Sequence, residues 1–430
     1  MKLLWVSNSP IGPAADVLGQ EYKGSSGGWI QSEYEQLDKK GIEFYFLCAL
    51  PTVKENEILK RNNEIGTVYC IHTPKIAYGI RPGTKKQGLV QRILDEIQPD
   101  IIQIWGTETW LSNAVANARS EAKKIIFLQG LIGVHQRYLG GYIKNNIWNK
   151  HFAIRGNLVG KAKATVRSVL FRKQAEIERE TLCLCNNVII DNEFTQSYCE
   201  ALSDGIRHFH HVLYPNKVFY EHSWTYGQCE KNTVFTVYGS NSEKGTHNLL
   251  RAVSIVKQSI PDIKVYIPGG YALDGSGKLT NSRNDPYQGL LYSMIKELEL
   301  EDAIVFTGRM SASQMAMMMK RCNVFVNPSC MEVHALSLRE AMTVGMPCIS
   351  SLCGSVAEYL RHGENGLLYR YEEYENLAYL LKKILSDSLL AQKMGEAAAK
   401  VFRSADISSI SFSGLYKMLL KSDGKASHRQ

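Results

Sequence analysis

Short apolar runs alternate along the chain with stretches of helical periodicity, the pattern of βα units that assemble into parallel sheets. In the first half the predicted strands are Lys2 to Ser7, Glu43 to Cys48, Ile101 to Ile104, Lys124 to Leu128 and Asn187 to Ile190. The pattern restarts at Thr233 with TVFTVYG and continues through IKVYIPG, AIVFTG, CNVFVNP and MPCIS, each followed by a helical stretch. This predicts an α/β protein of two doubly wound, Rossmann-like parallel-sheet domains, 1–225 and 226–405, with the boundary near Tyr220 to Lys231. A tail at 406–430 is expected to pack back on the first domain. Ligands bind beyond the carboxyl ends of strands in open α/β sheets, so the domains are expected to face each other across a binding cleft.

Composition narrows the class. The 430 residues are 44% hydrophobic and 21% charged, without low-complexity tracts, which fits a globular chain ordered up to its last residues, Ser422 to Gln430. The opening MKLLWVSN has an apolar run too short for a signal peptide, and no run approaches a membrane-spanning length. The ten cysteines are scattered through apolar strands rather than spaced as a framework, which suits a reducing cytoplasm. Cys183 and Cys185, the one close pair, have no partner pair at metal-ligand spacing.

Net charge is +8, and it is concentrated. Within a basic segment at 143–175 lie Lys144, Lys150, Arg155, Lys161, Lys163, Arg167, Arg172 and Lys173, with no acidic residue. Interleaved Ile147, Trp148, Phe152, Leu158, Val166 and Leu170 make it amphipathic in places, as for docking on an anionic membrane surface at the inner leaflet. A solvated basic helix accounts for it equally well. Few aromatics are available for base stacking, and no nucleic-acid module is present.

The chemistry-bearing residues cluster after predicted strands. From Asn327 to Leu368, a strand ends at NPS, a loop carries Glu332, a helix is predicted from near His334, and Glu340 lies in its second turn. With Glu332 in the loop and Glu340 on the helix, both carboxylates can enter one pocket. The amides of Ala335, Leu336 and Ser337 then form a helix N-terminus suited to a phosphate. Lys244 and Gly245 open a helix after a glycine loop, which presents a cation and backbone donors to an anion. SSGGW, Ser25 to Trp29, offers Gly27 and Gly28 for close backbone approach. After the third and fourth strands stand Glu108, Gln129, Gly130 and His135. A dehydrogenase is disfavoured, because the first βα turn, SNSPIGPAAD, lacks G-x-G-x-x-G.

The order of Pro328, Glu332, Glu340-Ala-Met, Gly345-Met-Pro, Gly354 and Gly363-x-x-Gly366-Leu-Leu resembles the Glu-x7-Glu region of retaining glycosyltransferases of family 4, with the GT-B fold. The resemblance spans the C-terminal domain and, more faintly, the N-terminal one. It implies a nucleotide diphosphate sugar as donor, with Glu340 on the ribose, Glu332 at the sugar ring and Lys244 on the diphosphate. It also implies that the Gly27-Gly28 loop meets donor phosphate and acceptor. Ser240 stands where the family carries an Arg, so Arg309 is a candidate second cation. Gln129 stands where the family carries a His; it can hydrogen-bond a sugar but not act as a base, leaving Glu108 and His135 as acceptor contacts. Asn192, Glu193 and Tyr214 to Asn216 match landmarks read as architecture. No Asp-x-Asp occurs, so neither metal nor other cofactor is expected. The expected activity is hexosyl transfer to a glycan or lipid-linked acceptor in surface polysaccharide or glycoconjugate synthesis. The replacements at Ser240 and Gln129 leave a non-catalytic, transferase-like binding subunit as the alternative, with a nucleotide-sugar epimerase of the same fold behind it.

Overall fold

The computed structural model describes residues 1–10, 12–19, 28–74, 77, 79–143, 158–236, 239, 241–281, 285–404 and 412–421, without the side chains of 28, 29 and 158–165. Gly27, Ser240 and most of the first half of the basic segment (144–157) therefore lie outside the described residues. The chain divides into two compact units, Met1–Arg137 with Val166–Val212 and Ile407–Gln430, and Tyr138–Thr165 with Leu213–Asp406. The chain enters the second unit at Tyr138, returns to the first at Val166, re-enters the second at Leu213 and leaves it again at Ile407 for its final helix.

In the N-terminal unit the strands are β1 Lys2–Ser7, β2 Glu43–Leu50, β3 Ile58–Asn63, β4 Gly66–His72, β5 Ile101–Trp105, β6 Lys123–Phe127, β7 Asn187–Ile190 and β8 Arg207–His210. They form one sheet in the order β3-β4-β2-β1-β5-β6-β7-β8. All described pairings are parallel except β3 with β4, so an antiparallel edge strand joins the expected parallel sheet. Strands such as IIQIW are buried at every position because helices cover both faces. Trp5 and Trp105 pack edge to face, 5.0 Å between ring centres. The final helix, Phe412–Lys421, completes this core, with Phe412 against Trp105 and the Tyr416 hydroxyl accepting from Trp5 Nε1 at 3.1 Å.

In the C-terminal unit the strands are β9 Thr233–Thr236, β10 Lys264–Pro268, β11 Ile304–Gly308, β12 Val324–Asn327, β13 Cys348–Ser351 and β14 Leu367–Tyr369. Their order is β11-β10-β9-β12-β13-β14, all parallel. Counted within the unit this is the doubly wound order 3-2-1-4-5-6, which reverses between β9 and β12. Leaving out β3, the N-terminal sheet has the same order with one strand added, reversing between β1 and β5. Asn192 caps helix Glu193–Leu202 by accepting from the Thr195 amide, and Asn216 caps Lys217–Tyr220. No helix among the described residues is long and apolar enough to cross a membrane.

Candidate functional site

The C-terminal switch point is built by close backbone approach. Gly245 has φ +68°, and a Cβ there would lie 1.8 Å from the Pro328 carbonyl oxygen, so only glycine lets the loop after β9 rest on the loop after β12. The Cys330 amide donates to the Glu243 carbonyl at 2.8 Å, joining the same loops. Gly354, at φ +49°, lies against Glu332, whose carbonyl oxygen would sit 1.7 Å from an added Cβ and accepts from the Ser355 amide. Glu332 is thereby held from both sides, and its Oε1 receives Lys244 Nζ at 2.6 Å. Burial disfavours the Lys244 charge, but Glu332 more than offsets it, so the ammonium titrates above its ordinary value. Lys244 keeps about a third of its side chain exposed, leaving the cation accessible on one side.

The helix beyond Glu332 starts at Leu336, two residues later than the sequence predicts. Ala335 adopts a left-handed conformation, φ 44° and ψ 46°, with no side-chain cap. The amides of Ala335, Leu336 and Ser337 have no partner among the described residues, and a left-handed residue followed by a helical one makes a concave anion-binding backbone. Glu340, in the second turn, is half-buried and makes no hydrogen bond or ion pair with a described residue; burial pushes its carboxyl up to about 8. Arg309 follows β11, is exposed, and lies beside Gly270, where a Cβ would meet its guanidinium at 3.1 Å.

Residues Tyr138–Ile143 dock on the Lys244 loop. Gly141, at φ +60°, would drive a Cβ to within 2.2 Å of the Ser242 carbonyl oxygen, and its own carbonyl accepts from the Tyr371 hydroxyl at 2.8 Å. Tyr371 also meets His247 Nε2 at 3.3 Å, and His247 Nδ1 meets the Tyr287 hydroxyl at 3.0 Å. Burial, aided by the Arg251 charge, pushes His247 down to about 3, so the linking imidazole is neutral at physiological pH.

The N-terminal switch point carries a different pair. Asn8, just past β1, donates from Nδ2 to Glu108 Oε2 at 3.1 Å, and Thr109 donates to Asn8 Oδ1. Gly106, at φ +84°, gives Glu108 room: a Cβ would fall 2.0 Å from its Oε2. Burial, with the Glu178 charge adding, pushes the Glu108 carboxyl up to about 7, against hydrogen bonds from its own backbone, Asn8 and Gly130. A Cβ placed on Gly130 would lie 3.6 Å from Glu108 Oε1 and 3.9 Å from His135 Nε2, so these groups flank one point. Gln129 beside it is half-buried, its amide without a described partner. Gly28 is the first residue of helix Gly28–Gln36.

The structure thus brings Lys244 to Glu332 and Glu108 near His135, while no hydrogen bond or ion pair among the described residues joins Glu340 or Arg309 to either group. Asn8, Gly141, Tyr371 and Glu178 do not stand out in the sequence as site residues. Position right after a strand was a signal for Asn8, and a Gly-Gly pair for Gly141.

Residues 223–401 match the sequence model of the family described as glycosyl transferases group 1. The N-acetyl-alpha-D-glucosaminyl L-malate synthase of Bacillus anthracis is 27% identical over 202 residues, 46% of this chain and 49% of that one. A D-inositol 3-phosphate glycosyltransferase of Pseudarthrobacter chlorophenolicus is 24% identical over 156 residues, 36% of this chain and 35% of its own. The chain thus spans half or less of the length of these curated relatives. Among solved structures, sucrose-phosphate synthase from Thermosynechococcus elongatus superposes with a TM-score of 0.74 at 16% identity, covering 98% of this chain and 100% of that one. HepE of Anabaena, solved with UDP and glucose, gives 0.64 at 16% identity over 97% and 99%. The fold is that of these proteins, two Rossmann-like α/β units of the GT-B type.

Proposed function

We propose that the chain, whose residues 223–401 match the glycosyl transferases group 1, moves a hexose from a UDP- or GDP-linked donor to a hydroxyl of a glycan or lipid-linked acceptor, retaining the anomeric configuration. The observation that carries this reading is the Lys244–Glu332 pair at the topological switch point of a doubly wound sheet, beside a helix whose N-terminal amides have no partner among the described residues.

Lys244 and the amides of Ala335, Leu336 and Ser337 take the diphosphate, with Arg309 and Ser240 as further donor contacts. Glu340 accepts from the ribose hydroxyls, and Glu332 lies at the sugar ring. The acceptor oxygen bonds to the anomeric carbon as the carbon–oxygen bond to phosphate breaks; the diphosphate leaves with the electron pair, and its oxygen takes the acceptor proton. Lys244 and the helix-terminal amides offset the charge that develops, which removes the need for a metal ion. Gly27 and Gly28 meet the donor phosphate and the acceptor, Gln129 hydrogen-bonds a sugar hydroxyl at the reaction centre, and Glu108 and His135 contact the acceptor. The basic segment 143–175 suits an anionic inner-leaflet surface carrying a lipid-linked acceptor for surface polysaccharide or related glycoconjugate, on a cytoplasmic protein.

Calorimetric titration with UDP and with GDP, EDTA present, tests this. One nucleotide is expected to bind, with Lys244→Ala weakening it about 10–150-fold, the loss of a charged hydrogen bond. Glu340→Ala weakens it as well, and Glu332→Ala lowers turnover of the nucleotide sugar more than affinity. Binding of neither nucleotide by the unaltered chain would sink the reading.

A further inference from the structure

One fully buried carboxylate has no place in this scheme. Glu178, on helix Leu158–Cys185, is 0% exposed. It accepts four hydrogen bonds: from Thr107 Oγ1 at 2.7 Å, the Ile132 amide at 3.0 Å, the Gly133 amide at 2.9 Å and the Tyr198 hydroxyl at 2.7 Å. Thr107 belongs to the turn after β5 that carries Glu108, while Ile132 and Gly133 begin the short helix that carries His135. The same helix face continues the fastening: Gln174 donates to the Thr107 carbonyl at 2.7 Å and accepts from the Gly79 amide at 2.9 Å. Thr181, one turn beyond Glu178, accepts from Asn113 at 3.1 Å. Gly133 is tightly enclosed, since a Cβ there would meet the Tyr198 hydroxyl at 2.1 Å and Glu178 Oε1 at 3.3 Å.

A buried carboxylate costs free energy that a structural role alone does not demand, because an apolar side chain could fill the space. Here it fastens two loops that converge on Gly130. We infer that Glu178 is a positioning residue for the acceptor end, its carboxylate setting Glu108 and His135 on either side of the point where the acceptor hydroxyl is placed. The inference rests on the transferase reading above. Glu178 acts on Glu108 in two ways, through the Thr107 turn and through its charge, which holds the Glu108 carboxyl up. Of the groups on elements packed around Glu108, Asn8 and the Gly130 backbone are neutral donors, Tyr198 hydrogen-bonds Glu178, and His135 stands across Gly130.

The test uses the full chain. Carbon-13 NMR of glutamate-labelled protein, with Glu108→Gln to assign the resonance, follows the Glu108 midpoint in the wild type and in Glu178→Gln, where it is expected to move to lower pH. With UDP-glucose as donor and p-nitrophenyl hexosides as acceptor probes, Glu178→Gln is expected to raise the hexoside KM about 10–100-fold while donor KM and UDP affinity stay within about twofold, the scale of loss from a small misplacement. Thr107→Val, which removes one fastening but keeps the charge, should raise the hexoside KM with little change in the Glu108 midpoint. It also serves should Glu178→Gln not fold. An unmoved midpoint, or a hexoside KM within about twofold in the folded variants, overturns the inference. Failure of the wild type to bind either UDP or GDP would instead overturn the transferase reading.

Discussion

In the C-terminal unit the switch point between β9 and β12 is spanned by a cation on an anion, Lys244 on Glu332 at 2.6 Å, whereas in the N-terminal unit the switch between β1 and β5 is spanned by a neutral amide on a carboxyl, Asn8 on Glu108 at 3.1 Å. The strand order around the two switches is the same, so topology places a polar pair at each and side-chain chemistry decides what it does. Lys244 keeps its charge because Glu332 opposes the effect of burial. Glu108, near a second carboxylate and with no cation paired to it among the described residues, titrates at about 7 and is poised to exchange a proton rather than to hold an anion. The first arrangement suits a diphosphate and the second a neutral hydroxyl.

The largest expected effect separates the two ends by what their glycines touch. Gly354→Ala forces a Cβ onto backbone, the Glu332 carbonyl, and adds left-handed strain to overpacking, together about 2–6 kcal/mol. Gly106→Ala meets only the end of the Glu108 side chain, which can swing aside, and should cost about 1–3 kcal/mol of strain. Urea unfolding measures both, and equal losses would break the contrast. Next comes pH. Glu340 is raised from 4.5 to about 8 in the folded chain, so its contribution to stability is fullest below 4.5 and declines as pH rises through 8. Glu340→Gln should flatten that slope in thermal unfolding across this range. In the wild type, a nucleotide whose hydroxyls donate to the carboxylate should bind more tightly as pH rises toward 8, releasing a proton that calorimetry in two buffers detects. The smallest effect is Tyr371→Phe, which removes the hydrogen bond to Gly141: about 1 kcal/mol, or about 2–4 °C in melting temperature.

Strands buried on both faces, such as IIQIW and VFVN, were legible because a covered parallel strand is apolar throughout. β3, ILKRNN, was not, since an exposed edge strand has neither an apolar run nor clean alternation. β14, LLY, is too short to stand out. Lys244 and Glu332 were each legible as candidates from their places after strands, but their pairing was not, because the order of strands in the sheet, which sets their loops side by side, is not written in the local pattern. The helix start was misplaced because Ala335 takes a left-handed conformation that a residue with a Cβ rarely adopts. Glu178 was hidden in the charged run EIERE, which reads as a solvated helix face; only the loops folded over it reveal its burial.

The hydrogen bond from Trp5 to Tyr416 joins residues 411 positions apart, inside the core of the N-terminal sheet. During synthesis, at about 5–20 residues per second, the first strand therefore waits roughly 20–80 s for the helix that finishes its packing. Until that helix is made, Trp5 lacks the cover of Tyr416 and Trp105 that of Phe412, and the emerging N-terminal half presents aromatic surface that a chaperone can hold.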